Sequence, residues 1–318
     1  MGLFTELPLD EAQRLGRAYA VEVTEVTPLG AGSVNSNFRL AAADGRTFFA
    51  RVYEEQDVDG ADGELRLLTE LASLGLPVAA PLRRGDGSLV SIHRGKPFSM
   101  YPWVTGEILC QKRVTPAHAT AIGEALARLH LSTPRVTRLA GGRFRVEDLR
   151  GRLDRIEQES PAHRDAALHI RRRLERYTSL RNAEIPEGVI HGDLFRDNAL
   201  FSGARVVALL DFESASHGAF AFDLMVTVLA WCYGDAFDPV LVHSLLAGYA
   251  AHRPLERAEK AALAVEGGLA CLRFATTRIT DFSMRTPPGE TPSRDFRRFL
   301  ARLEALEQGM LDVHVAAL

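Results

Sequence analysis

Residues 23–55 carry β-branched and aromatic residues in two runs joined at Asp44-Gly45, a dipeptide suited to a tight hairpin. Gly30, Gly32, Ser33 and Asn35 interrupt the first run and predict a bend within the hairpin. Leu65, Leu67, Leu68, Leu71 and Ala72 then form an apolar stripe behind Glu64, predicting a helix that Gly75 and Pro77 stop. The stretch SLVSIHRGKPFSMYPWVTGE predicts a second hairpin turning at Arg94-Gly95, with an aromatic exit at Tyr101 and Trp103. The first hundred residues therefore read strand, strand, helix, strand, strand. From Thr115 the period becomes helical: Thr115 caps, Pro116 takes the first position, and Ile122, Leu126 and Leu129 share a face. Residues 135–185 are rich in arginine but interleaved with acids, the pattern of a solvated helix surface. ARVVALLDF predicts a buried strand, and apolar helical segments follow to the end. With no repeat or low-complexity linker, the pattern predicts two lobes joined near residues 102–106, bounded as 1–104 and 105–318.

Composition narrows the partners. A chain of 318 residues with 46% hydrophobic residues can bury a large core, and 38 Lys and Arg against 41 Asp and Glu leave a net charge of -3. No global positive field draws nucleic acid, so any anion site is local. Cys110, Cys232 and Cys271 form no CxxC pair, the usage of reduced thiols in a cytoplasm. MGLFTELPLDEAQ has acids where a signal peptide has bases. AFAFDLMVTVLAWCY carries Asp223 and is too short for a bilayer, so no membrane partner is expected. A small molecule is the expected partner, and the oligomeric state is left open.

The chemistry concentrates in VIHGDLFRDNALF, where His191, Asp193, Asp197 and Asn198 lie between two apolar runs. The spacing HxDxxxxN is that of a phosphoryl-transfer loop, in which the Asp accepts a substrate hydroxyl's proton and the Asn binds Mg²⁺. That spacing selects Asp193 and Asn198 and leaves Asp197 outside the catalytic set. Eighteen residues beyond Asp193, the apolar run VVALL ends in Asp211, a carboxylate that Mg²⁺ bridging phosphates would compensate. LGAGSVNSNF, with Gly30, Gly32 and Ser33, can bend over phosphates and offer backbone N–H groups. Arg51 in FFARVYEE stands where a kinase has its strand lysine, and Glu64 opens the next helix as its ion-pair partner. Met100, Tyr101 and Trp103 in SMYPWVTGE are the expected hinge, with backbone facing an adenine edge.

HGDLFRDN, LLDFE and FDL resemble the aminoglycoside phosphotransferase and choline kinase-like superfamily. NSNFRL, TPAHATAIGEALARLHLS, GVIHGDLFRDNALF, LAGYAAHRPLERAEKAAL and CLRFATTRITDFSMRTPPGE are most similar to the type II homoserine kinases. The resemblance implies an α+β, two-lobed protein-kinase-like fold with a small β-rich N-terminal lobe and a larger, mostly helical C-terminal lobe. It also implies ATP- and Mg²⁺-dependent phosphorylation of a hydroxyl, with homoserine the first acceptor. Aminoglycosides, choline or another amino alcohol, and sugars are the alternative acceptors, and a nucleotide-binding regulator without turnover is the alternative function. Homoserine's carboxylate needs a cation and its ammonium an anion. Helical spacing places Arg273, Thr277 and Asp281 on one face, with Arg278 one step round, and Trp231, Tyr233 and Asp235 are expected beside them. His191 is expected to support the loop by hydrogen bonding and Asp223 to tie it from behind.

Overall fold

The structure, a computed structural model, describes residues 5–30, 34–136, 144–182, 184–287 and 290–310. It begins with a helix that the strand-rich pattern does not predict, α1 (Leu9–Ala18), which buries Ala12 and Leu15 and has Asp10 and Glu11 in its first turn and Arg17 in its last. Strands β1 (Val23–Leu29), β2 (Ser36–Ala42) and β3 (Thr47–Val52) follow. Where the sequence predicts one bent run and its partner, the chain forms three strands. The glycine-bearing segment falls between β1 and β2, which pair antiparallel from Leu29↔Asn37 to Val23↔Ala42. Gly32 and Ser33 lie outside the described residues.

Helix α2 (Val58–Ser73) is capped by Asp57, whose carboxylate accepts the Gly60 N–H at 2.8 Å. With β4 (Ser91–His93) and β5 (Lys96–Pro102) the strands complete an antiparallel sheet of order β1-β2-β3-β5-β4. One cluster packs Phe38, Leu40, Phe98 and Met100 with Leu15 and Tyr19 from the α1 side. Tyr53, Tyr101 and the α2 leucines belong instead to the larger core shared with the helical part of the chain.

That part contains α3 (Pro116–Leu131), α4 (Val146–Glu159) and α5 (Arg164–Leu180). Thr115 and His118 form a reciprocal cap on α3, as the sequence predicts for Thr115. Arginines of α5 enter ion pairs: Arg171 reaches Asp154 at 2.7 Å and Glu157 at 2.8 Å. Two ribbons come next, β6 (Glu187–Ile190) with β9 (Ser216–Ala219), and β7 (Ala199–Ser202) with β8 (Arg205–Leu209). β9 is not legible in the pattern, because it is four residues long and contains Gly218. Helices α6 (Phe220–Trp231), α7 (Pro239–His252), α8 (Arg257–Asp281) and α9 (Arg297–Glu307) complete the described chain. The Glu107↔Phe201 bridge joins the exit from β5 to β7. Among the described residues no helix is long and apolar enough to cross a membrane.

Helices α3 and α7 approach so closely that glycine is required at the crossing. A Cβ at Gly123 would stand 2.2 Å from the Leu245 carbonyl oxygen, and one at Gly248 would stand 2.4 Å from that of Thr120. Neither backbone can yield without separating the helices, and α3 also carries a residue of the site described below. Gly123→Val is therefore expected to destabilise the fold by about 2 kcal/mol or more through overpacking. Thermal unfolding followed by circular dichroism checks this, and an unchanged midpoint would refute the close crossing.

Candidate active site

β6 delivers His191 and Gly192 to a turn, and the short 3₁₀ segment Arg196–Asn198 leads into β7. The turn hangs on one carboxylate. Asp223, fully buried on α6, accepts the His191 N–H at its Oδ2 and the Gly192 N–H at its Oδ1, both at 2.7 Å. Burial alone would raise this carboxyl, but hydrogen bonds from His130 and from the His191 backbone more than offset it and hold Asp223 below its ordinary range. His191 Nδ1 accepts the Asp193 N–H at 3.3 Å, so the network assigns the proton to Nε2, which donates to the Leu210 carbonyl at 2.9 Å. Gly192 has φ of 75°, and a Cβ there would lie 2.9 Å from the Ser214 carbonyl oxygen. Both the left-handed turn and the close approach require glycine.

Asp193 emerges from this turn with 28% of its side chain exposed. Burial is the largest influence on its carboxyl and lifts it above the ordinary range; Arg273 opposes the lift and Asp211 adds to it. Asn198 Nδ2 donates to the Asp193 carbonyl at 2.8 Å and reaches its Oδ2 at 3.4 Å, which orients the amide and leaves its oxygen as the acceptor end. Asp211 stands just past β8 in a left-handed conformation, φ 62° and ψ 69°. A non-glycine residue held there costs energy and marks a position fixed by its surroundings.

Sheet register brings the second group of charges. Arg51 faces Asn37 across β2–β3, and its Nε donates to Asn37 Oδ1 at 3.2 Å. Its Nη1 lies 3.7 Å from Glu64 Oε1 and 3.4 Å from Asp211 Oδ1, which makes the Arg51–Glu64 pair an interior feature, with 12% and 5% of the side chains exposed. Burial works against the Arg51 charge, yet Asp211 and Glu64 more than compensate and hold it above its ordinary range. Burial pushes Glu64 up to about 7, opposed by Arg51 and reinforced by Asp211 and Glu213. Glu64 and Asp211 thus share one guanidinium while Glu213 acts on Glu64 from nearby, an excess of negative charge that a divalent cation would neutralise. Among the described residues no three His, Cys, Asp or Glu side chains form a metal cage. The oxygen donors Asn198 and Asp211 fit Mg²⁺, which is commonly held by one or two protein groups together with phosphate oxygens.

The expected hinge is divided. Tyr101 turns its hydroxyl to Tyr53 at 2.9 Å beside the Arg51 group. Met100 is buried in the sheet core with its carbonyl accepting from Leu82, and the Trp103 N–H donates to the Thr47 carbonyl. The carbonyl of Met100 and the N–H of Trp103 are therefore engaged within the fold. Gly30 borders the site's glycine-bearing turn, and a Cβ there would meet no atom within 4 Å.

On the other side of Asp193, α8 presents Arg273, which is buried between the rings of Phe144 and Phe274 at 4.1 and 3.8 Å and donates to Asp193 Oδ1 at 3.2 Å. Thr277 is buried one turn on. Asp281, expected on the same face as a substrate group, pairs with Arg152 of α4 at 2.6 Å. The predicted face exists, but Arg273 and Asp281 are each committed to another element. Trp231 is not part of the charged group: it is fully buried, packs on Phe201, and its indole N–H donates to the Leu194 carbonyl at 3.0 Å. It supports the loop from beneath, because a side chain with no exposure cannot line an open pocket. A cavity of about 180 Å³ adjoins the loop, with Phe144, Arg145, Glu187, His217, Gly192 and Arg273 in its wall.

The sequence profile of the phosphotransferase enzyme family matches residues 25–255. The chain belongs to that family. The homoserine kinase of Methylobacillus flagellatus is 29% identical over 327 residues, covering 100% of both chains. That of Nitrobacter winogradskyi is 31% identical over 298 residues, covering 91% of this chain and 89% of its own. Among solved structures, an amicoumacin kinase in complex with AMP-PNP, Ca²⁺ and Ami superposes with a TM-score of 0.71 at 17% identity, covering 95% of this chain and 93% of that one. A choline kinase from Cryptosporidium parvum gives 0.67 at 13% identity, covering 92% and 91%. The phosphotransferase therefore has the α+β, protein-kinase-like fold, with a β-sheet N-terminal lobe and a helical C-terminal part, and it is a small-molecule kinase that uses ATP.

Behind Asp223 the phosphotransferase carries a buried relay that the sequence reading missed. His130, at the end of α3, bonds Asp223 Oδ2 at 3.1 Å through Nε2 and the Tyr249 hydroxyl at 2.7 Å through Nδ1. Arg253 then links Tyr249 at 3.1 Å to Glu259 at 2.8 Å. The available signal was a histidine ending an otherwise apolar helix face, and its partners lie 93 and 119 positions away.

Burial holds His130 below the ordinary histidine value of 6.5, against the pull of Asp223. A histidine kept neutral in the fold binds fewer protons than in the unfolded chain. Its stabilisation is complete above 6.5 and is lost as pH falls from there toward the folded value. Asp223 is depressed from 3.8, so the stability it contributes is present above that value and is lost only below it. His130→Gln is expected to flatten the fall in thermal midpoint between about pH 7.5 and about pH 5.5. Melts at both pH values check this, and a fall equal to the wild type's would refute it.

Proposed function

We propose that this phosphotransferase transfers the γ-phosphoryl group of ATP to the side-chain hydroxyl of homoserine, with Mg²⁺ as the metal. The observation that carries the reading is the meeting of Asp193 and Asn198 on one turn, with Asp211 near enough to act on the Asp193 carboxyl and Arg51 reaching Asp211 from the sheet. Full-length similarity to homoserine kinases supports the acceptor. The nucleotide lobe is assigned to residues 1–104 and the acceptor lobe to 105–318, and the reaction to the cytoplasm, where ATP is supplied.

In this reading Asp193 takes the proton of the acceptor hydroxyl as its oxygen bonds to the γ-phosphorus and ADP leaves. Asn198 and Asp211 would hold Mg²⁺, which would supply neutralisation of charge on the phosphate oxygens. Arg51, kept in place by Glu64 and Asn37, steadies the phosphates, and the turn at Gly30, Gly32 and Ser33 covers them. Tyr101 closes the wall beside Arg51. His191 and Asp223 fix the position of Asp193, so most of the barrier reduction comes from preorganised charge and orientation.

Asp193→Asn is expected to fold normally and to lose turnover by about 10² or more. ATP consumption coupled to an indicator reaction measures this, and near-wild-type turnover would remove Asp193 from the role of base. The same assay over homoserine, serine, choline, an aminoglycoside and a sugar tests the acceptor. Homoserine-dependent turnover is the expected result, whereas turnover with only another compound rejects homoserine and retains the kinase.

A further inference from the structure

Arginines gather where α8 and α9 meet the loop that carries Asp193. Arg278 lies in the last turn of α8, Arg294 precedes α9, Arg298 and Arg302 ride on α9, and Arg196 belongs to the loop itself. Arg278 and Arg302 lie over the same ring, Phe299, at 4.5 and 4.9 Å. Arg302 is anchored on the carbonyls of Leu229 at 3.0 Å and Arg298 at 2.8 Å, and Arg196 on that of Ala230. The nearby acids are Asp197, paired with Arg294 at 3.1 Å, and Asp295, whose carboxylate is held by Arg297 at 3.0 Å and whose carbonyl accepts from Arg278 at 3.0 Å. Five guanidinium groups therefore stand against three carboxylates: Asp197 paired with Arg294, Asp295 tied to a sixth arginine, and Asp193, which acts on Arg278 from the loop. Burial, then repulsion from Arg294, Arg302 and Arg298, pushes Arg278 down to about 9. A half-buried concentration of like charge is costly until an anion enters it.

The position of the cluster identifies the anion. Asp193 is among the charges that act on Arg278, and Arg294 is bonded to Asp197 of the same loop. The charges assigned to the nucleotide come from other elements, Arg51 from β3, Glu64 from α2 and Asp211 from beyond β8. The cluster lies on the α8 side of Asp193, on elements other than those.

We propose that Arg278, with Arg294 and Arg298 around it, binds the carboxylate of the phosphate acceptor and so selects hydroxyl compounds that carry an anionic group. This rests on the kinase reading above. Arg278 gives Nη1 to the Asp295 carbonyl and has its other N–H groups to offer a carboxylate, and Phe299, shared with Arg302, is the platform on which it lies. Arg273, committed to Asp193, remains with the base.

The test compares kcat/KM for homoserine with that for 3-aminopropanol, the same amino alcohol without the carboxylate, in wild type, Arg278→Met, Arg278→Lys and Arg298→Gln. Loss of a charged hydrogen bond predicts that the homoserine-to-aminopropanol ratio falls about tenfold or more in Arg278→Met, chiefly through KM. Arg278→Lys falls less, since it keeps the charge but not the fork, and Arg298→Gln, at an exposed position compatible with folding, shifts the ratio in the same direction. Equal losses for both acceptors indicate a structural role and overturn the proposal. A wild type that uses aminopropanol as well as homoserine overturns it too. If another hydroxy acid is the acceptor and Arg278→Met discriminates against it in the same way, homoserine falls and the carboxylate site stands. Failure to phosphorylate any compound removes both the kinase reading and this site.

Discussion

Two backbone N–H groups, those of His191 and Gly192, end on the two oxygens of one buried carboxylate, and the geometry of the site follows from that contact. Asp223 is costly to bury as an anion and is retained because the turn and His130 supply its donors. With Gly192 in a left-handed conformation, the chain reverses where Asp193 begins, and the His191 ring closes the turn from the other side. Asp193 and Asn198 are thereby presented together from a segment only eight residues long. The close crossing of α3 and α7 brings His130 and Tyr249 together behind Asp223, so helix packing and loop geometry are one problem rather than two.

The charge around Asp193 is asymmetric. Toward the sheet, Glu64, Asp211 and Glu213 outnumber Arg51, an arrangement suited to a cation. Toward α8 and α9, arginines outnumber acids, an arrangement suited to an anion. In the proposed reaction a metal-bound nucleotide and a carboxylate-bearing acceptor meet at Asp193 from these two sides. Neither imbalance is visible in a net charge of -3.

Much of this was legible in the sequence, and the exceptions share a cause. The spacing of His191, Asp193 and Asn198 is local, so the loop could be read from a dozen residues. The stripe of α2 and the cap of α3 are local as well. Helix α1 was missed because it has only ten residues and no side-chain cap, and it gains its stability by packing Ala12 and Leu15 rather than from its own signals. Arg273 was correctly placed on a helix face, but its pairing with Asp193 depends on a fold that brings positions 80 apart into contact. The commitment of Asp281 to Arg152 and of Trp231 to Leu194 depends on packing in the same way. Local pattern identifies which residues carry chemistry, and tertiary contacts decide which partner each receives.

Replacement of Asp223 by asparagine tests the central claim most directly, because it preserves shape while removing one acceptor and the charge. If Asp223 positions the loop, Asp223→Asn retains ATP affinity by calorimetric titration within about threefold and loses at least about tenfold in turnover, the scale of a charged hydrogen bond. Turnover equal to the wild type's in a folded Asp223→Asn protein would contradict the account.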